Sequence, residues 1–156
     1  MNDIARTYAR TTGALYLVTH VTSVGAVAAY SAGALTLGVA LEFLLALGCL
    51  GTGILLWLLL RASGPARAAT FVALRGLEAA VILAGTLPMV ARTLAPFSAE
   101  ATSALTAVHT ASFLVGQGLV IGVNTIVLGS LLLSSGAVPR ALAILGMVGG
   151  ALVLTS

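Results

Sequence analysis

The chain reads as an all-α membrane protein, a single polytopic bundle of about five transmembrane helices that takes in residues 1–156. Three observations predict this. Apolar stretches of about 18 residues or more, the length a helix needs to cross a bilayer, follow one another along the chain. Hydrophobic residues make up 60% of the sequence and charged ones 7%, so water-facing surface is scarce. Mean hydropathy is +1.16, and the longest polar stretch, around Arg92 to Ser103, is too short for a soluble domain.

The elements follow in order. A first span is expected over about Thr11 to Tyr30, closed by Ser31-Ala32-Gly33-Ala34. A second runs from about Thr36 to Leu60. After the turn Arg61 to Arg67, which holds Gly64-Pro65, a third runs from about Ala68 to Ala91, with Pro88 removing one backbone donor near its far end. Ser98 reads as an N-cap, and Glu100 suits the positive end of the helix dipole. From Glu100 to Leu133 is about 50 Å of helix at ~1.5 Å per residue, too long for one span. An interfacial turn or two is therefore expected before a fourth span from about Leu105, ended by Ser134-Ser135-Gly136. Pro139 opens a fifth span, where its missing N–H costs nothing, and that span runs to Ser156.

Charge sets the expected topology. The seven basic side chains are all arginine. Arg6 and Arg10 precede span one, Arg61 and Arg67 lie between spans two and three, and Arg140 lies between four and five. The positive-inside rule then places the N-terminus in the cytoplasm. The net charge of +3 does not indicate nucleic acid, because no basic run exists and the arginines sit mostly at helix ends. The single cysteine, Cys49, allows no disulfide within the chain.

The polar residues inside the spans carry the functional question. Arg75 and Glu78 lie three apart on one helix face and well inside the bilayer, where an unpaired Arg costs about 2.5–3.5 kcal/mol. They read either as a binding or relay pair or as a structural ion pair. Glu42 shares a stripe with Gly38, Cys49 and Gly53, so it faces protein and needs a donor; Arg75, Arg92, His20 and His109 are the candidates. His20 lies mid-span on a face with Gly13, Tyr16 and Ser23. His109, Gln117 and Asn124 share one side of span four. Gly118, Gly122 and Gly129 line its other side, and Gly146 and Gly150 lie in span five. These small residues suit close helix packing.

Two membrane histidines raise the question of haem, but bis-His ligation needs both imidazoles at one depth, and His20 and His109 are expected at different depths. No spacing typical of a metal site is present, nor a nucleophile elbow or phosphate loop. The cofactor is left open, and the pattern points away from an enzyme.

Several runs resemble a bacterial membrane family known as domain of unknown function 4386. They are Arg6-Thr7 through Arg10 with Gly13-Ala14-Leu15-Tyr16-Leu17, then Arg75-x-x-Glu78, then His109, then Gly129-Ser130-Leu131 followed by Ser135-Gly136-Ala137-Val138-Pro139-Arg140-Ala141-Leu142. The resemblance implies an all-helical inner-membrane protein and no assigned activity. Members typically continue to a sixth span and have a longer first loop.

Three functions are compatible with the residues. The first is a non-catalytic subunit or scaffold of a membrane complex, packed through glycine-rich faces against other subunits or a second copy, with membrane lipid around it. The second is a binder or carrier of a lipid-like ligand such as a quinone, pigment or lipid. The third is a small proton-linked transporter or intramembrane enzyme that uses Glu78 and His109. They are distinguished by whether Arg75, Glu78 and His109 meet around open volume or around each other.

Overall fold

A computed structural model describes residues 3–155, and every regular element among them is a helix. We number them α1 (Asp3–Ser31), α2 (Leu35–Leu60), α3 (Pro65–Leu94), α4 (Ala99–Ser135) and α5 (Arg140–Thr155). The first four are long and apolar enough to cross a membrane. The fifth is apolar but has 16 described residues, and Ser156, its expected end, lies outside the described residues.

The boundaries follow from local chemistry. Gly33 and Gly136 adopt positive φ, 76° and 63°, a conformation that costs glycine little, and each lies just past a helix end. Pro65 occupies the first turn of α3. The Ser98 hydroxyl caps α4 by accepting from the Ala101 N–H at 3.2 Å. Ahead of α5, the Pro139 carbonyl accepts from the N–H of Leu142 and Ala143.

Two expectations are corrected. α1 begins at Asp3, not Thr11, because the polar stretch before the apolar run is helical too. No interfacial turn precedes span four, which is one unbroken helix of 37 residues. Its middle is a π-helical stretch, Leu114–Val120, whose wider turn changes which residues share a face below it.

The helices pack largely in chain order. Among the described residues, the backbone of α1 lies along α2, α2 along α3, and α3 is central, meeting both halves of α4, while α5 packs on α4 from its π-helical stretch onward. Leu45, Ala46, Cys49, Ala79 and Ile82 fill the α2–α3 seam. Leu56, Leu60, Ala68, Phe71 and Leu131 tie those helices to α4. Large apolar side chains such as Leu17, Val24, Leu87 and Leu145 point outward, as lipid-facing residues would.

Close approach relies on small residues. The Tyr30 ring fills the space a Cβ at Gly38 would need, and Gly53 lies against the Arg75 side chain. Gly122 and Gly129 receive Leu154 and Met147 of α5, and Gly150 sits 2.7 Å from the Gly122 carbonyl oxygen, measured from an ideal Cβ. Gly118 and Gly146, expected in helix packing, meet nothing within 4 Å in this chain; they fall on faces that no helix of this chain covers.

At Gly85 an ideal Cβ would lie 2.6 Å from Ser112 Cβ, whereas one at Gly76 would meet nothing within 4 Å. Gly85→Val is therefore expected to lower stability by about 1–3 kcal/mol through overpacking, with Gly76→Val close to wild type. Thermal unfolding in detergent, followed by far-UV circular dichroism, measures both.

Candidate functional site: two polar networks beside one crevice

Glu42 is buried at 3% exposure and draws one side chain from each of three other helices. The Tyr30 hydroxyl of α1 donates to Oε2 at 2.8 Å, and the Thr86 hydroxyl of α3 does so at 2.8 Å. His109 Nε2 of α4 lies 2.7 Å from Oε1. The imidazole meets the Tyr30 ring edge-on, with centroids 4.9 Å apart. A carboxylate only accepts, so Nε2 carries the proton of that bond. No hydrogen bond of His109 Nδ1 occurs among the described residues. Of the donors expected for Glu42, His109 is the one used. Arg92 instead donates to Thr106 at 3.1 Å, and His20 Nδ1 meets the Tyr16 carbonyl oxygen at 2.7 Å.

The second network centres on Arg75 and Glu78, buried at 3% and 1% exposure. Arg75 Nη1 donates to Glu78 Oε2 at 2.7 Å. Its Nε and Nη2 donate to the Thr52 hydroxyl at 3.2 and 2.7 Å, and Thr52 passes its own proton to the Cys49 carbonyl. Glu78 also accepts from Asn124 Nδ2 at 3.4 Å and from the Cys49 thiol at 3.6 Å. The guanidinium stands over the Tyr16 ring, 5.3 Å from its centroid, a favourable cation–π distance. The two charges thus meet each other, and each of the three guanidinium nitrogens makes one hydrogen bond.

Both networks border one crevice. Among the described residues, the α1 backbone comes close to α2 and not to α4, so α1 and α4 stand apart above a floor of α2 and α3. The Tyr30–His109 contact bridges this gap. Toward the loop that joins α1 and α2, a cavity of about 440 Å³ is lined by Val27, Tyr30, Glu42, Thr106, His109 and Phe113, among others. Nearer the middle of the bundle, a second of about 190 Å³ lies among Tyr16, His20, Ser23, Arg75, Glu78 and Gln117. Apolar walls with few convergent polar groups are the usual makeup of a small-molecule site.

The sequence-predicted residues therefore separate into three groups. Glu42 and His109 belong to one network; Arg75, Glu78 and Asn124 belong to the other; His20 and Gln117 line the second cavity. Glu78 is held by Arg75 and His109 by Glu42, so the Glu78–His109 pair that a proton-linked mechanism requires is not formed. His20 and His109 line different cavities, an arrangement unsuited to bis-His haem. Tyr30, Thr86 and Thr52 were not singled out from sequence, and Tyr16 was placed only on the face of His20. Only Tyr30 left a signal, in Gly38, which makes room for its ring.

Breaking one partner of a buried ion pair leaves the other charge uncompensated, at a cost of about 3–5 kcal/mol. Arg75→Met is expected to destabilise by that amount, and Arg75→Met/Glu78→Gln by less. A double-mutant cycle of unfolding in mixed micelles checks this; a double variant as unstable as the sum of the singles contradicts pairing.

Comparison with known proteins gives one match. The family profile described as Domain of unknown function (DUF4386) covers residues 11–156. No curated protein and no solved structure matches the chain. The chain belongs to the DUF4386 family, a domain of unknown function, and has four helices long and apolar enough to span a membrane.

Proposed function

We propose that this protein binds or carries a lipid-like amphipathic molecule, held in the crevice between α1 and α4 with its polar end against His109. The observation that carries the reading is the placement of His109. Its Nε2 is fixed by buried Glu42, while no hydrogen bond of its Nδ1 occurs among the described residues and the ring lines a cavity of about 440 Å³. A buried carboxylate that orients an imidazole fixes its tautomer, so Nδ1 offers a lone pair to a hydroxyl-bearing ligand. The remaining walls, Val27, Phe113 and the stems of Thr106 and Thr110, suit an aliphatic tail.

Val27→Trp would fill this cavity from a residue that is 51% exposed, with little strain on the core. Native mass spectrometry of protein extracted in membrane nanodiscs is expected to find a bound amphipathic species on wild type and none on Val27→Trp, with equal melting temperatures. The same occupancy on both proteins would overturn the reading.

A second reading, a subunit of a larger membrane assembly, draws on one observation: the α5 face around Gly146 and Gly149 is open. Gly146→Leu is expected to leave the isolated chain as stable as wild type and to abolish any co-purifying membrane partner. In either role the arginine-rich end, with Arg6, Arg61, Arg67 and Arg140, would face the cytoplasm of a bacterial inner membrane. Reporter fusions at Ser63 and Phe97 are expected to fall on opposite sides, with Ser63 inside.

A further inference from the structure

The side chains around the larger cavity have spent their donors. Four hydroxyls line it, and each already gives its proton away: Tyr30 to Glu42 Oε2 at 2.8 Å, Ser31 to the Val27 carbonyl at 2.9 Å, Thr106 to the Thr102 carbonyl at 2.8 Å and Thr110 to the Thr106 carbonyl at 3.0 Å. A hydroxyl has one proton to donate but keeps lone pairs that accept. His109 gives its Nε2 proton to Glu42. Among the described residues the fully buried polar side-chain atoms without a partner are Gln117 Nε2 and Asn124 Oδ1. His109 Nδ1, with no hydrogen bond, is therefore open to a molecule the size of water. The lining thus offers lone pairs and no spare side-chain N–H or O–H.

We propose that this site selects a neutral single-chain alcohol, whose hydroxyl donates to His109 Nδ1, against chains that end in a carbonyl, and that a proton on Nδ1 cancels the selection. The inference rests on the reading of the cavity as a binding site and adds what its guest must carry. A carbonyl oxygen only accepts, so it would face lone pairs and lose the hydrogen bonds it makes in water. The head is neutral because an anion would meet the Glu42 carboxylate, and a cation would meet Arg92, which donates to Thr106 in the same lining. The volume of about 440 Å³ holds about fifteen water-sized groups at ~30 Å³ each, enough for a hydroxyl and a chain of about a dozen carbons. A proton taken up on Nδ1 turns its lone pair into a donor, and a carbonyl head then finds a partner. The ionisable groups that face the imidazole are Tyr30 from α1 and Glu42 from α2. α3 presents Val81, Ile82 and Gly85 to it, none of which titrates, and Arg92 reaches α4 about one turn away.

The test uses the full chain in lipid nanodiscs with two probes, 1-dodecanol and 2-dodecanone, added separately at equal mole fraction in the lipid. Native mass spectrometry counts each probe on the protein. At pH 8 dodecanol is expected to be retained at least about tenfold over dodecanone. An imidazole changes charge between about pH 5 and pH 8, so at pH 5 the ratio is expected to fall to about one. Histidine labelled with ¹⁵N gives a second readout on the unmutated chain. His20 Nδ1 carries the proton of its bond to the Tyr16 carbonyl, so the bare Nδ1 resonance at pH 8 belongs to His109; it is expected to shift with dodecanol and not with dodecanone. Equal retention of the two probes at pH 8, with both lost in Val27→Trp, would leave the cavity as a site and overturn the selection. Dodecanone still refused at pH 5 would overturn the role of the proton. Probe occupancy that Val27→Trp does not reduce would overturn the reading of the cavity itself, and this proposal with it.

Discussion

The half of this bundle nearer the loop between α1 and α2 converges on the Glu42 carboxylate. It stands on α2 and is met by Tyr30 from α1, Thr86 from α3 and His109 from α4. A carboxylate buried in an apolar bundle is costly unless its oxygens are satisfied, and here three donors from three helices satisfy them. The same bonds fix how the helices sit. α1 touches only α2 along its backbone, and its approach to α4 rests on Tyr30. Gly38, one turn before Glu42, provides the room that lets the Tyr30 ring lie over α2.

The crevice follows from this mode of attachment. Helices that pack by small residues close on one another, as α4 and α5 do over Gly122, Gly129 and Gly150. α1 and α4 instead meet through long side chains, which hold their backbones apart. Arg75 and Glu78 lie deeper and serve a different end. They bind each other, Thr52 and Asn124, so they pin α2, α3 and α4 together. Their contribution to ligand chemistry is to form a polar but neutral wall.

Much of the fold was legible because lipid imposes simple rules. Long apolar runs gave the spans, and Gly33, Pro65, Ser98 and Gly136 gave their ends. The pairing of Arg75 with Glu78 followed from a spacing of three on one helix. What stayed hidden depended on tertiary geometry. A strict 100° helical wheel cannot anticipate the π-helical stretch at Leu114–Val120, so the glycine faces of span four were only partly placed. Gly118 and Gly146 looked the same as Gly122 and Gly150, yet only the latter two meet a neighbour. Thr52 and Thr86 carried no sequence signal, since threonine is common in membrane helices and usually bonds its own backbone. Tyr30 was not singled out because its polar partner, Glu42, lies on the next helix.

The central claim is that Glu42 and His109 form one hydrogen-bonded unit joining α2 to α4. Magic-angle-spinning NMR on the protein in lipid, with Glu side-chain carbons labelled ¹³C and His ring nitrogens labelled ¹⁵N, measures it directly. The structure predicts a close dipolar contact between Glu42 Cδ and His109 Nε2, with Nε2 protonated, and its loss in Glu42→Gln would assign it. A His109 ring with no carboxyl carbon near Nε2 would contradict the claim and remove the basis for the crevice between α1 and α4.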